Sequence, residues 1–218
     1  MSVRENLNSV RERIERAGRD PKDIAIVAVT KGFSAEMCLQ ALEAGLSMLG
    51  ENRVQEALGK MDAVPDAEWH LIGHLQTNKV RQAAARFALI QSVDSVRLAG
   101  EIARTAPSQA VLVEVNVARE PQKSGADPDH ALEVIAGVAG LLDVRGLMAM
   151  GPSTGDPSPA FNALRTLRDQ AEQRLSRRLP VLSMGMTGDF EAALAAGSTM
   201  LRLGTALFGP RPASPADE

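Results

Sequence analysis

A single (β/α)8 barrel is the fold this sequence predicts, and three observations predict it. Eight short apolar runs occur at residues 24–30, 47–50, 69–74, 88–93, 110–117, 144–150, 181–183 and 199–203. Helix-period patterns separate them at 35–44, 54–60, 79–86, 96–104, 128–139, 159–178 and 191–196. Alternation of strand and helix argues for a parallel sheet covered by helices. Several runs are apolar almost without interruption, as strands buried on both faces are. Eight such units in about 200 residues fill a small barrel, with a doubly wound open sheet as the competing arrangement.

Ahead of the first strand, Val3, Leu7, Val10, Ile14 and Ala17 step by three and four residues, which describes an amphipathic helix. Gly18 and Pro21 end it. The first apolar run then closes on Lys31, and the second and third lead into the polar clusters Glu51-Asn52-Arg53 and His74–Lys79. Asp127-Pro128 reads as a helix start, with Asp as cap and Pro at the first helical position. Residues 151–159, rich in Gly, Pro and Ser, form a long loop that a barrel would carry on its active face after the sixth strand. One domain is expected over residues 1–210, and the Pro-rich, polar residues 211–218 read as a loose, disordered tail.

Bulk composition narrows the function classes. The chain has 218 residues, of which 44% are apolar, enough for a real core. Its formal net charge of −3 gives no basic footprint for nucleic acid. The one dense charge run, Arg11-Glu12-Arg13-Ile14-Glu15-Arg16, mixes signs and reads as a solvated helix face. Cys38 is the sole cysteine, which excludes a disulfide framework or a cysteine-rich metal site within one chain. The polar N-terminus has no secretory pattern, and no stretch of about 18 apolar residues could span a membrane. The expectation is a cytoplasmic monomer.

Candidate chemistry gathers at strand ends. A lysine at the C-terminal end of a first barrel strand points at the active face. Partial desolvation there lowers an amine's pKa and makes it the nucleophile a Schiff base requires; an ordinary lysine at a strand end is the plainer reading of Lys31. Near the other terminus stand Ser183-Met184-Gly185-Met186-Thr187-Gly188-Asp189 and Arg202-Leu203-Gly204-Thr205. Glycines let backbone N–H groups approach an anion, and the threonines add hydroxyls. The loops after strands seven and eight are where such barrels hold phosphate. Arg202 lies in an otherwise apolar strand, so its guanidinium needs a partner, either a carboxylate or a ligand. His70 and His74 are four apart on a strand, about 13 Å, too far to share a metal ion. Lys123 follows strand five and reads as a solvated lysine, with contact to a second anion as the alternative.

Taken together, these stretches, with Leu49-Gly-Glu-Asn-Arg-Val-Gln-Glu56, Trp69-His-Leu-Ile-Gly-His-Leu-Gln-Thr-Asn-Lys79, Lys123-Ser-Gly125 and Gly146-Leu-Met-Ala-Met150, resemble one family over nearly the whole chain. It is that of the pyridoxal phosphate homeostasis proteins, also described as YggS/PROSC-like PLP-binding proteins. The resemblance implies a barrel similar to the N-terminal domain of alanine racemase, the type III fold for pyridoxal 5′-phosphate (PLP). It implies that Lys31 holds PLP as a Schiff base and that Arg202 faces the pyridine nitrogen. Thr187, Gly204 and Thr205 would hold the phosphate, and Asn52 and Met184 would line the ring pocket. A protein that buffers and delivers PLP to PLP-requiring apo-enzymes follows, without strong catalysis. The chain departs from the family in His74, where Pro is common, in Thr30, Thr77 and Thr187, where Ser is common, and in Gly32-Phe33, where Thr-Lys is common.

The alternative within the fold is an amino-acid racemase. Two-base racemisation needs an acid/base group on each face of the cofactor. Related racemases use a tyrosine for one face, and this sequence has no tyrosine. An arginine against the ring nitrogen also weakens the electron sink. Both points favour the carrier. A PLP-independent Schiff-base aldolase is the third class.

Overall fold

The computed structural model describes residues 2–210. Its strands are β1 (Ala25–Val29), β2 (Met48–Glu51), β3 (Glu68–Leu71), β4 (Leu89–Val93), β5 (Ala110–Glu114), β6 (Asp143–Met148), β7 (Val181–Ser183) and β8 (Met200–Leu203). They pair in parallel, in chain order, and β8 closes on β1 through the register Ala25↔Met200 to Ala28↔Leu203. The expected barrel is therefore the observed one, and the open sheet is excluded.

Side chains alternate across each strand. On β8, Leu201 and Leu203 join the core between strands and helices, while Met200 packs inside the barrel with Val27, Leu89, Leu112 and Met148. Above that apolar plug the interior turns polar, with His70, Gln91, Glu114, Ser183 and Arg202 all buried. Close strand packing at β6–β7 depends on Gly146, where a Cβ would lie 1.9 Å from the carbonyl oxygen of Val181. Gly146→Ala must open this pairing and is expected to cost about 1–3 kcal/mol, read from urea denaturation; unchanged stability would show that the two strands separate freely.

The helices are α1 (Val3–Arg16), α2 (Ala35–Glu43), α3 (Val54–Met61), α4 (Val80–Ala83), α5 (Val96–Thr105), α6 (Ala131–Ala139), α7 (Ser158–Leu175), α8 (Phe190–Ala195) and α9 (Thr205–Phe208). A single turn such as α9 cannot cover its part of the barrel. The N-terminal helix does so instead: α1 packs on α2, α8 and α9. It starts with a reciprocal Ser2–Glu5 capping box and buries Val3, Leu7, Val10 and Ile14. Asn6 donates to the Leu207 carbonyl at 2.8 Å, and the Arg13 guanidinium lies 4.2 Å from the centroid of the Phe190 ring.

Three helices differ from the sequence expectation. Asp127 does not cap α6, which begins at Ala131; its carboxylate instead accepts the Asp129 N–H at 2.9 Å, in the local turn that Asp favours. The pattern at 79–86 gives only α4, because Ala85 is left-handed (φ 64°) and its N–H is taken by Gln109 Oε1 at 2.9 Å. α7 stops at Leu175, where Ser176 turns left-handed. The expected tail at 211–218 lies outside the described residues.

Candidate functional site at the mouth of the barrel

Lys31 directly follows Thr30 at the C-terminal end of β1, half-buried, with its neighbours on both sides held. Thr30 donates its N–H to Gly50 O at 3.0 Å and its hydroxyl to Glu51 Oε1 at 2.6 Å. Lys60, on the inner side of α3, donates to Thr30 O (2.9 Å), Glu51 Oε1 (2.8 Å) and Glu56 Oε1 (2.9 Å). Glu56 Oε1 also accepts the Gly32 N–H at 2.5 Å. Burial pushes the fully buried Glu51 carboxyl up, against the pull of Lys60 and Thr30. For Lys60, burial acts to lower the pKa, but its bonds to Glu51 and Glu56 outweigh that and leave it raised. Glu56 feels burial first, yet Lys60 and the Gly32 amide hold it below its ordinary value.

Across the β1–β8 seam lies the second half of the mouth. Val29, two residues before Lys31, approaches within 3.6 Å of where a Cβ on Gly204 would stand. The loop after β7 is folded tightly over β8. Arg202 N–H donates to Gly185 O at 3.0 Å, and Asp189 Oδ1 accepts the Met186 N–H at 2.6 Å. Gly185 has φ 99°, and a Cβ there would lie 2.7 Å from Ala193 Cβ on α8, so backbone shape and packing both require glycine. Thr187 Oγ1 accepts the Ala206 N–H at 3.1 Å, joining the loops after β7 and β8. Among the described residues the N–H groups of Thr187 and Gly188 make no hydrogen bond, and that of Thr205, first in α9, has no intrahelical partner. Thr187, Gly204 and Thr205 thus lie together.

Beneath them, Arg202 is buried inside the barrel. It donates through NH1 to Ser183 O and Oγ, both at 2.7 Å, and through NH2 to Ala149 O at 2.8 Å. Its Nε–H has no hydrogen-bond partner among the described residues. The sequence left a carboxylate or a ligand as its partner; the structure supplies carbonyls and a hydroxyl, with Glu114 close enough to act on its charge. The layer continues from Ser183 Oγ, which donates to Gln91 Oε1 (2.6 Å), to Gln91 Nε2, 3.0 Å from His70 Nδ1. A donating Gln91 amide requires a neutral His70 with its proton on Nε2. Burial sets the ionisation here. It lowers His70 to about 4, raises Glu114 to about 7 despite the attraction of Arg202, and lowers Arg202 to about 10 despite Glu114 and Asp189.

Met184 is not brought into the mouth. Strand alternation turns Ser183 inward and Met184 outward, where it is fully buried in the main core. Its N–H and C=O are used by Met200 O and Ser198 Oγ, so neither end of its peptide groups nor its side chain is available to line a pocket. His70, read as part of a polar cluster at a strand end, is instead one layer down. Asn52 lies on a cleft of ≈ 420 Å³ beside the mouth, shared with Arg53, Gly73, His74, Gln76 and Lys79. His74 Nδ1 faces Asp94 at 3.5 Å. Lys123 is not a solvated lysine: it reaches Glu120 at 3.1 Å and the Gly151 carbonyl, while Glu120 accepts the N–H and hydroxyl of Ser153 at 2.7 and 2.6 Å. These bonds strap the loop after β5 to the loop after β6.

Sequence reasoning missed Lys60, Glu114 and Gln91, and it named Glu51 and Ser183 only as members of polar stretches, without these partners. A charge on the apolar face of α3, between Ala57 and Met61, was the available signal for Lys60. Glu114 and Gln91 each interrupt an apolar strand, which was the signal already used for Arg202.

Residues 2–212 match the family described as the N-terminal domain of alanine racemase. The chain is 41% identical over 226 residues to the pyridoxal phosphate homeostasis protein of Aquifex aeolicus, covering 97% of this chain and 99% of that one. It belongs to the pyridoxal phosphate homeostasis protein family. Another member, of Escherichia coli, is 38% identical over 96% of this chain and 97% of its own. PipY of Synechococcus elongatus, solved with PLP bound, superposes with a TM-score of 0.85 at 35% identity, covering 95% of this chain and all of that one. An alanine racemase from Clostridium difficile shares the fold (TM-score 0.80) at 16% identity, over 98% of this chain and 58% of its own. No helix among the described residues is long and apolar enough to cross a membrane.

Proposed function

We propose that this member of the family binds PLP in the barrel mouth, holds it as a Schiff base on Lys31, and buffers and delivers it to PLP-requiring apo-enzymes in the cytoplasm as a monomer. PLP supplies an aldehyde that condenses with a lysine amine, the aldehyde oxygen leaving as water. The observation that carries the reading is the pairing of β1 with β8, which sets the strand end that bears Lys31 beside the β8 loop, over a buried arginine. Thr187, Gly188 and Thr205 offer N–H groups and hydroxyls to a phosphate. The Nε–H of Arg202 is suited to donate to a pyridine nitrogen, and a neutral ring nitrogen makes a poor electron sink. Asn52, directly after β2 and lining the adjacent cleft, would border the ring. PLP bound to PipY, 35% identical, is consistent with these roles.

Weak catalysis agrees with the same residues. Thr30, Glu51 and Lys60 turn their polar groups on one another, and His70 is buried in a hydrogen bond, so neither set offers an acid/base group on the second face. Borohydride reduction of the PLP-loaded protein, followed by peptide mapping, is expected to put the adduct on Lys31. Lys31→Ala is expected to lose the adduct and the long-wavelength absorbance of bound PLP. An adduct that persists in Lys31→Ala would assign the wrong lysine. Rapid interconversion of D- and L-amino acids by the wild-type protein would favour the racemase instead.

A further inference from the structure

Lys60 is a lysine buried to 8% exposure, and the proposed binding of PLP does not use it. Burying a charge is costly unless it is paired and hydrogen-bonded. Here the whole expense is directed at one short segment. Three groups converge on the residues flanking Lys31: the Lys60 ammonium on Thr30 O, the Glu51 carboxylate on the Thr30 hydroxyl, and the Glu56 carboxylate on the Gly32 N–H. Both peptide groups next to Lys31 are therefore tied to α3, the helix after β2, and not only to the barrel ladder. Gly32 is left-handed (φ 76°), so the chain turns sharply straight after the lysine, and Phe33 N–H closes the turn on Thr30 O at 3.0 Å.

We propose that Lys60, Glu51 and Glu56 form a positioning clamp that fixes the backbone on both sides of Lys31 and so aims its amine into the mouth. The clamp rests on the reading of Lys31 as the PLP-holding residue. It acts through the backbone and touches no ligand, so its members are positioning residues. Its composition suits the task. The two carboxylates face the Lys60 ammonium and, at longer range, the Arg53 guanidinium, which also acts on Glu56; the buried Cys38 thiol on α2, pushed up by burial, lies against the same cluster. One carboxylate oxygen, Glu51 Oε2, has no partner among the buried groups described, so Glu51 is held in place at a cost that packing alone does not explain.

The test compares Lys60→Met, Glu56→Ala and Glu56→Gln with wild type in two kinds of measurement. In ligand-free protein, the pH profile of Lys31 acylation by a small amine reagent, read by peptide mass, reports the amine itself, and hydrogen exchange reports the Gly32 amide. In loaded protein, equilibrium dialysis gives the PLP Kd. Lys60→Met and Glu56→Ala are expected to speed Gly32 exchange, alter the Lys31 profile, and weaken PLP binding by roughly tenfold or more, the scale of a misplacement of about 1 Å. Glu56→Gln keeps an oxygen for Gly32 and Lys60 and is expected to restore most of the binding lost in Glu56→Ala. A clamp variant that melts earlier yet keeps the wild-type Lys31 profile and PLP affinity would reduce the cluster to a structural ion pair. Should Lys60→Met fail to fold, the half-exposed Glu56 pair decides. If wild type takes PLP on a different lysine, the functional reading fails, while the ligand-free profile still decides the clamp.

Discussion

Arg202→Met is expected to cost about 3–5 kcal/mol of folding stability, the scale of removing one partner from a buried charged group. In a chain of this length that is a fall of roughly 10 °C in melting temperature. The loss has two parts. Ser183 O retains the Ala149 N–H at 3.1 Å, but Ala149 O loses its only hydrogen-bond donor among the described residues. Glu114, 5% exposed, is left in the barrel without the cation that opposes its burial. Glu114→Gln in the Arg202→Met background is therefore expected to recover part of the loss, whereas each change alone destabilises or is neutral. A double-mutant cycle by urea denaturation reads the coupling directly. Additive effects would mean that Glu114 and Arg202 do not interact, and an Arg202→Met protein as stable as wild type would mean that the guanidinium is not a structural element of the barrel. PLP affinity should fall as well, since the same guanidinium is proposed to meet the ring nitrogen.

How much of this was legible in the sequence depended on whether a signal was periodic. The barrel was, because strand and helix periods alternate without a break and several strands are apolar almost without interruption. Arg202 was, because a charge inside an apolar strand has few structural explanations, whereas Lys31 at a strand end read most plainly as an ordinary lysine and was singled out by the family resemblance. Met184 was given to the ring pocket by the family resemblance alone; directly after an inward Ser183 its side chain turns the other way, into the main core. Lys60 was hidden for a different reason. Its partners come from β2 and from the preceding turn of α3, and a pairing between elements leaves no repeat in the sequence. Asp127 was misread because Asp satisfies its side chain as well in a turn of its own as at a helix cap. The role of α1 was also hidden, since only the brevity of α9 creates the gap that it fills.

The buried layer makes an unusual prediction about pH. His70 has its pKa lowered from 6.5 to about 4, and Glu114 has its pKa raised from 4.5 to about 7, each mainly by burial. A depressed histidine binds fewer protons folded than unfolded, so its contribution is full above pH 6.5 and is lost as pH falls towards 4. A raised carboxyl binds more protons folded than unfolded, so its contribution is full below pH 4.5 and is lost as pH rises towards 7. Over pH 4.5–6.5 the two slopes have opposite signs and nearly equal size, about 1.4 kcal/mol per pH unit at most. They offset each other, and wild-type stability should vary little with these two groups in that window. Each single substitution exposes the other arm. Relative to wild type, His70→Gln, whose carbonyl can still accept from Gln91, is expected to lose stability progressively as pH rises from 4.5 to 6.5. Glu114→Gln is expected to lose it as pH falls through the same range. Comparing each variant with wild type at every pH cancels the other carboxylates, including the raised Glu51 and the lowered Glu56. Parallel urea-denaturation profiles for the three proteins would overturn the account. Opposite slopes would show that the barrel keeps its polar layer by storing one proton on the carboxyl and none on the imidazole, the state in which Arg202 can keep its two carbonyl partners without a competing charge on His70.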